Sequence, residues 1–206
     1  MTNKHSYLTT ALLMGVLLTG CGGNKEEEKT EEASVSATGA VDAMKAIADQ
    51  AEEMQKNGPV ETVDFRALKE LLPADADGLT RKEATGEKNK AMGFGVSTAT
   101  GKYGNDDNSE TIEIALVDGA GSAMMMGLAA WSMIEVDKET ADGYEKTTTI
   151  GGNKAFEKYD NSSKSGEVAV LVNKRYIVTA KGRGVGIDKI KAALEDVDMN
   201  KLAELK

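Results

Sequence analysis

Two very short loops constrain the fold of this chain more than any other feature of its sequence. Gly151-Gly152 and Asn173-Lys174 each interrupt a stretch with the apolar–polar alternation of β-structure. Both glycines can take the positive φ of a tight hairpin turn, and loops this short join only antiparallel neighbours. They therefore predict two antiparallel hairpins, built from the strands Tyr144–Ile150, Asn153–Tyr159, Glu167–Val172 and Arg175–Lys181.

Period-two alternation also predicts three earlier strands, at Leu79–Glu87, Met92–Tyr103 and Thr111–Val117. Apolar residues at helical spacing predict helices at Ala40–Lys56, Phe65–Leu72, Gly119–Val136 and Ile187–Val197, and a short last helix that starts at Asp198. Asp64 is expected to cap the second of these helices. The fold class is therefore α+β, with a single antiparallel β-sheet of about 6–7 strands and helices packed on it.

The order of these elements resembles the photosystem II PsbP/Mog1-like fold. In that fold a central helix divides two groups of antiparallel strands, and Gly119–Val136 has the corresponding place here. The resemblance concerns the order of helices and strands in the body of the chain.

The only cysteine, Cys21, lies at the end of the sequence Leu18-Thr19-Gly20-Cys21. The apolar run Leu8–Leu18 precedes it, after the basic residue Lys4. Such a run is too short to cross a membrane, which takes about 20 apolar residues, but it suits a secretory signal. The motif resembles the lipobox of bacterial lipoproteins: Leu, a small residue, Gly or Ala, then Cys. The resemblance implies that Cys21 is lipidated and that residues 1–20 are removed. An ordinary signal peptide with a chance cysteine is the alternative.

The chain then divides into three parts: signal peptide 1–20, tether 21–39 and a single α+β domain 40–206. The tether, which begins with the lipidated cysteine, is acidic and almost free of apolar residues, so we expect it to be disordered. Its cluster Lys25–Glu28 resembles a surface-sorting signal of some Gram-negative lipoproteins, although a plain solvating linker explains it equally well. We expect the outer membrane or cell surface rather than the inner membrane.

Composition excludes several classes of chemistry. The chain has a formal net charge of −9, so nucleic acid is not expected as a partner. The only histidine, His5, lies in the signal, and Cys21 is expected to carry lipid. His-dependent triads, cysteine nucleophiles and His/Cys metal sites are therefore excluded from the mature protein. We predict no catalytic residues, no metal and no cofactor.

One segment is a candidate ligand site. Gly182-Arg183-Gly184-Val185-Gly186 lies between a predicted strand and a predicted helix, where backbone N–H groups can hold an anion. The candidate ligand-binding residues are Gly182, Arg183, Gly184 and Gly186. The alternative is that these glycines only allow a sharp turn off the sheet.

Three other groups of residues have a structural and a functional interpretation. Met124, Met125, Met126 and Met133 suit copper(I), but core packing explains them better because consecutive helical residues point in different directions. Asp75–Gly78 and Asn105–Asn108 carry oxygen ligands for calcium, but are also ordinary turn sequences. Four acidic residues lie close together at and just after the end of the predicted helix that contains the methionines. They suit cation binding or acid–base catalysis, and a solvated surface explains them equally well: Glu135, Asp137, Glu139 and Asp142.

The sequence therefore predicts a lipid-anchored envelope protein whose domain binds an envelope protein or a small ligand without catalysis. A second hypothesis is a hydrolase that cleaves glycans with two carboxylates about 5–10 Å apart. A third is a purely structural envelope protein.

Overall fold

A computed structural model describes residues 61–91, 94–120 and 134–206, together with the single positions Lys45 and Glu52. These residues form three helices: α1 (Phe65–Glu70), α2 (Ile187–Glu195) and α3 (Met199–Glu204). They also form nine strands: β1 (Asp75–Ala76), β2 (Leu79–Ala91), β3 (Phe94–Gly104), β4 (Thr111–Asp118), β5 (Asp137–Glu139), β6 (Gly143–Ile150), β7 (Asn153–Asp160), β8 (Ser165–Val172) and β9 (Tyr176–Arg183).

All nine strands belong to one antiparallel sheet, in the order β1-β2-β3-β4-β9-β8-β7-β6-β5. The first four strands and the last five form two meanders in which each strand pairs with the next one in the chain. The two meanders meet at the centre of the sheet, where β4 pairs with β9. The predicted α+β class with a single antiparallel sheet is confirmed.

The predicted count of about 6–7 strands was too low. All seven predicted strands are present, and the two that were missed are the short edge strands β1 and β5. Two or three residues are too few to show alternation in a sequence. β1 forms because Asp77 and Gly78 both have positive φ, at 45° and 80°, which turns the chain straight back onto β2.

The predicted hairpin turns are confirmed. Gly151 and Gly152 have φ of 56° and 78°, and Asn173 and Lys174 have φ of 50° and 52°. Asp64 caps α1 as predicted, because its side chain accepts a hydrogen bond from the backbone N–H of Arg66 at 2.8 Å. Asp198 likewise caps α3.

The strand register separates two faces of the sheet. We call the face that includes Ile114, Val168 and Ala180 the covered face, because these side chains are fully buried. Phe65 of α1 and Ile190 of α2 lie against glycines of this face, at Gly86 and Gly182. We call the opposite face the open face, because none of the three described helices packs on it. Within the described ranges, the main hydrophobic core therefore lies between the helices and the covered face. Leu171 of β8, which lies on the open face, is also buried.

The predicted helix Gly119–Val136 differs from the structure at its end. Ile134, Glu135 and Val136 are not helical. Instead, the carbonyl of Val136 accepts a hydrogen bond from the N–H of Thr147 at 2.7 Å, which continues the pairing of β5 with β6. Residues 121–133 lie outside the described residues. Most of the predicted helix Ala40–Lys56 does too, although Lys45 and Glu52 are helical.

No helix within the described ranges is long and apolar enough to cross a membrane.

Candidate functional site

Several residues singled out by sequence lie outside the described ranges. They are the lipidation candidate Cys21 with the whole tether, and the four methionines Met124, Met125, Met126 and Met133. Lipidation at Cys21 and core packing of the methionines stay predictions.

The glycine segment lies where β9 passes into α2, and packing accounts for two of its glycines. A Cβ at Gly182 would lie 2.5 Å from atoms of Ile190 and Val185, so a side chain there would push α2 off the sheet. Gly184 has a φ of 73°, and a Cβ there would lie 2.1 Å from the carbonyl oxygen of Ser109. Both positions therefore need glycine whether or not a ligand binds.

The other two residues of the segment are accessible. Arg183 is exposed at the end of β9, and Gly186 is the exposed N-cap of α2. Asp188 already places a negative charge in the first turn of that helix, where it interacts favourably with the helix dipole. Binding of an anion by Gly182, Arg183, Gly184 and Gly186 stays a prediction.

The two candidate calcium loops have well-formed internal turns. In the second loop, Asp107 accepts a hydrogen bond from the N–H of Ser109 at 3.0 Å, and Asn105 accepts one from the N–H of Glu110 at 3.1 Å. These oxygens therefore hold the turn between β3 and β4. Within the described residues, no three His, Cys, Asp or Glu side chains lie close enough together to hold a metal ion.

The predicted acidic loop is partly a strand, and a cleft lies beside it. Asp137 and Glu139 belong to β5, and Asp142 lies in the turn to β6. The cleft is lined by backbone and side chains of β5, β6, β7 and their turns: Lys138, Thr140, Asp142, Gly143, Tyr144, Glu145, Lys158, Tyr159 and Asp160. Of the four acidic residues predicted to act together, only Asp142 lines this cleft.

The environment of the cleft keeps two of its carboxylates ionised. Hydrogen bonds, first from the Ser162 hydroxyl and then from the N–H of Ser163, lower the pKa of Asp160 to about 2. A hydrogen bond from Lys158, whose Nζ lies 2.6 Å from the carboxylate, lowers the pKa of Glu145. A general acid needs a raised pKa, so neither group is suited to donate a proton near neutral pH.

A buried carboxylate on the covered face was not predicted from the sequence. Glu157 of β7 has only 1% of its surface exposed. The Tyr144 hydroxyl donates a hydrogen bond to its Oε1, and the Nζ atoms of Lys146 and Lys191 lie 3.6 Å and 3.4 Å from its two oxygens. Burial, and then this hydrogen bond, raise the pKa of Tyr144. Because Lys191 belongs to α2, the cluster connects that helix to the outer part of the sheet.

Replacing Glu157 with glutamine is expected to lower the free energy of unfolding by about 1–2 kcal/mol. The amide keeps an acceptor for Tyr144 but loses the attraction to both lysines. Chemical denaturation of the full chain measures this. Glu167→Gln is the matched control, because it removes one partly exposed ion pair with Lys181 and should cost less than about 1 kcal/mol. Equal effects would contradict a special role of the Glu157 cluster.

Asp118 is a second buried carboxylate, and it lies at the end of β4. It is completely buried and accepts two hydrogen bonds from Arg175, from Nε at 3.0 Å and from Nη2 at 2.8 Å. It also accepts hydrogen bonds from the N–H groups of Val63 at 2.8 Å and Ala120 at 3.0 Å. With every oxygen engaged by a protein donor, this carboxylate connects three segments and has a structural role.

The open face carries a ladder of alternating charges, which was also missed. One residue from each of eight neighbouring strands lies directly opposite the next, and the charge changes sign at every step. From β2 to β5 this charge ladder runs Glu83, Lys102, Glu113, Lys181, Glu167, Lys158, Glu145 and Lys138. Three neighbouring pairs approach within ion-pair distance: Lys102–Glu83 at 2.9 Å, Lys158–Glu145 at 2.6 Å and Lys181–Glu167 at 3.6 Å.

The charge ladder ends at the cleft, since Lys138, Glu145 and Lys158 belong to both. The cleft and the ladder therefore form one continuous polar surface.

Comparison with known proteins adds no assignment: no family model, no curated protein and no solved structure matches the chain.

Proposed function

We propose that this chain is a bacterial lipoprotein, anchored in the cell envelope by a lipid on Cys21, whose α+β domain binds a partner without catalysis. The observation that carries the proposal is the motif Leu18-Thr19-Gly20-Cys21 directly after a short apolar run. The acidic tether 21–39 would hold the domain at a distance from the membrane. The outer membrane or the cell surface is the proposed location.

The cleft beside β5 supports binding rather than catalysis. A glycan hydrolase needs one carboxylic acid that is protonated at the working pH. The two cleft carboxylates with a clear pKa shift, Glu145 and Asp160, are both shifted the opposite way. Together with Lys138 and Lys158, they instead offer charges of both signs to an envelope protein or a polar small ligand.

The division of the described strands into two antiparallel meanders supports a PsbP/Mog1-like arrangement for the domain. Membership of that fold is part of the proposal.

Replacing Cys21 with serine should remove the protein from the membrane fraction or leave it there only as the uncleaved precursor. The hydroxyl of serine cannot take the place of the acylated thiol. The measurement is metabolic labelling with an alkyne fatty acid, followed by separation of membrane and soluble fractions. Thr19→Ser is the matched control, because it keeps a small residue in the motif and should be labelled like the wild type. Cleaved, membrane-bound Cys21→Ser protein would contradict the proposed anchor.

A photo-cross-linking residue in place of Thr140 tests the proposed binding role in intact cells. Thr140 is exposed and lines the cleft, whereas Glu204 on α3 is exposed away from the strands and is the control position. We expect a discrete adduct from position 140 and none from position 204. Release of reducing ends from isolated cell-wall glycan by the purified chain would instead favour the hydrolase. If position 140 gives no adduct and the purified chain releases no reducing ends, a purely structural role is favoured.

A further inference from the structure

One row of apolar side chains on the open face is more deeply buried than its neighbours in the sheet explain. Val117 of β4, Ile177 of β9 and Leu171 of β8 lie side by side across the centre of the sheet. Val117 and Ile177 are half-buried, and Leu171 has only 7% of its surface exposed, although none of the described helices packs on this face. Side chains on one face of a sheet stand away from it and shield only each other's flanks. The burial of Leu171 therefore requires a further layer above this apolar row.

We infer that residues 121–133 of this chain cover the apolar row and form a second core layer with it. The stretch follows β4 directly in the sequence. It contains no charged residue, and it includes Leu128, Trp131 and four methionines. Such a composition is typical of a segment that is buried on most sides.

Described residues fix both ends of this stretch. At its start, Ala120 is buried, and its N–H donates a hydrogen bond to Asp118 at the end of β4. At its end, the carbonyl of Ile134 accepts a hydrogen bond from Nζ of Lys154 at 2.7 Å. Lys154 belongs to β7 and alternates with the buried Ala155, so its side chain is on the open face. The chain therefore leaves the sheet at β4 and returns on the open side near β6 and β7, and the apolar row lies between these two points.

The length of the stretch matches the distance that it has to cross. β9, β8 and β7 lie between β4 and β6. Four strand spacings of about 4.8 Å give a distance of roughly 19 Å. From Ala120 to Ile134, the predicted helix would rise about 1.5 Å per residue and span roughly 21 Å. A fully extended chain of the same length would be roughly twice as long as needed.

The stretch that precedes Glu61 arrives on the opposite side of the sheet. It joins the described domain at Thr62, whose Oγ1 lies 3.0 Å from the position that a Cβ on Gly95 would take. Gly95 shares the covered face with Ala99, because residues at even spacing on a strand point to the same side. Residues 40–60 are therefore less well placed than residues 121–133 to cover the apolar row.

Covering the apolar row leaves the charge ladder as the accessible part of the open face. Its central members Glu113 and Lys181 are exposed. In the proposed binding role, the partner would then contact the charge ladder and the cleft rather than the centre of the sheet.

Photo-cross-linking from the two faces tests this assignment. A benzophenone-bearing phenylalanine replaces Phe156 of β7, on the open face, in one variant and Phe65 of α1, against the covered face, in the control. Both side chains are half-buried. The full chain is irradiated in detergent, denaturing electrophoresis gives the mass of the adducts, and mass spectrometry locates the linked residues. We expect position 156 to link to residues 121–133 within one chain, and position 65 to link to β2 instead.

Several results would overturn the inference. They are a link from position 156 to residues 40–60, to a second copy or to another protein, and the absence of any link to residues 121–133 in a folded variant.

The fluorescence of Trp131, the only tryptophan, gives a second measurement that needs no bulky probe. Trp131 precedes Ile134 by three residues, so we expect it above β7 and close to Phe156. Phe156→Ala should therefore shift the emission of Trp131 to longer wavelength and increase its quenching by acrylamide, whereas Phe65→Ala should change neither. Equal responses of the two variants would contradict the inference. Neither measurement depends on Cys21, so failure of the proposed anchor and failure of this inference are distinguishable.

Discussion

Replacing Asp118 with alanine should destabilise the fold by about 3–5 kcal/mol, the largest effect that we expect from a single side chain. The change leaves the Arg175 guanidinium without its carboxylate and the N–H groups of Val63 and Ala120 without an acceptor. Removing one partner of a buried ion pair costs more than the pair contributes, because the other partner stays largely buried without its counter-charge. Arg175 would keep only the hydrogen bond that its Nη2 donates to the carbonyl of Glu61. Thermal or chemical denaturation of the full chain measures the loss.

Asp106→Ala is the matched control for this experiment. Asp106 lies in the exposed turn between β3 and β4, 3.8 Å from Lys82, and its loss should cost less than about 0.5 kcal/mol. A second comparison is Arg175→Ala combined with Asp118→Ala. If the two residues act as a pair, the double variant should lose clearly less than the sum of the single losses. An Asp118→Ala variant as stable as the control would show that this carboxylate does not hold the three segments together.

Replacing Gly184 with alanine should lower the free energy of unfolding by about 2–5 kcal/mol. Two costs add, because the backbone has a φ of 73° and the new Cβ would lie 2.1 Å from the carbonyl oxygen of Ser109. The neighbouring carbonyl belongs to the backbone, so it cannot swing away as a flexible side chain could. The readout is again the denaturation midpoint.

Gly186→Ser, two residues further on, is the control in the same segment. A Cβ at Gly186 meets no atom within 4 Å, and serine is a better N-cap residue, so this change should be neutral or slightly stabilising. The pair also bears on the predicted anion site. If a phosphate-containing ligand stabilises the wild type but not Gly186→Ser, these residues bind it in addition to forming the turn. If Gly184→Ala is as stable as Gly186→Ser, the packing account of the segment is wrong.

Most of the sheet could be predicted because local rules determine its turns and strands. Gly151-Gly152 allows positive φ, and the alternation in Thr111–Val117 marks the buried side of β4. β1 and β5 were not predicted, because they are too short to show alternation and form only by pairing with a neighbouring strand. The end of the predicted helix at Ile134–Val136 failed for a related reason. Apolar residues continue there, but Val136 forms hydrogen bonds with Thr147 of β6 instead of continuing a helix.

The polar clusters could not be predicted, because they depend on register. Glu113 and Lys181 become neighbours only when β4 and β9 pair in one particular alignment, and nothing local in either strand specifies it. Glu157 occupies a position where alternation favours an apolar residue. Its partner Lys191 comes from a helix much later in the chain, so no local pattern could have assigned the pair. The four acidic residues from Glu135 to Asp142 are close in the sequence, but they do not come together around one site, and only Asp142 lines the cleft.

The pairing of β4 with β9 has a consequence for how the protein is made. Each meander consists of contacts between strands that are neighbours in the chain, and such contacts form quickly. The pairing of β4 with β9 is different, because it joins residues far apart in the chain, such as Thr111 with Arg183 and Asp118 with Tyr176. A chain leaves a ribosome or a translocation pore N-terminus first. The strand β4, with Ile112, Ile114 and Leu116, is therefore exposed well before β9, which pairs with its edge, has emerged. During this interval the edge of β4 is open to pairing with other chains. We expect the nascent protein to be most prone to aggregate, and to depend most on a holding chaperone, between the synthesis of β4 and that of β9.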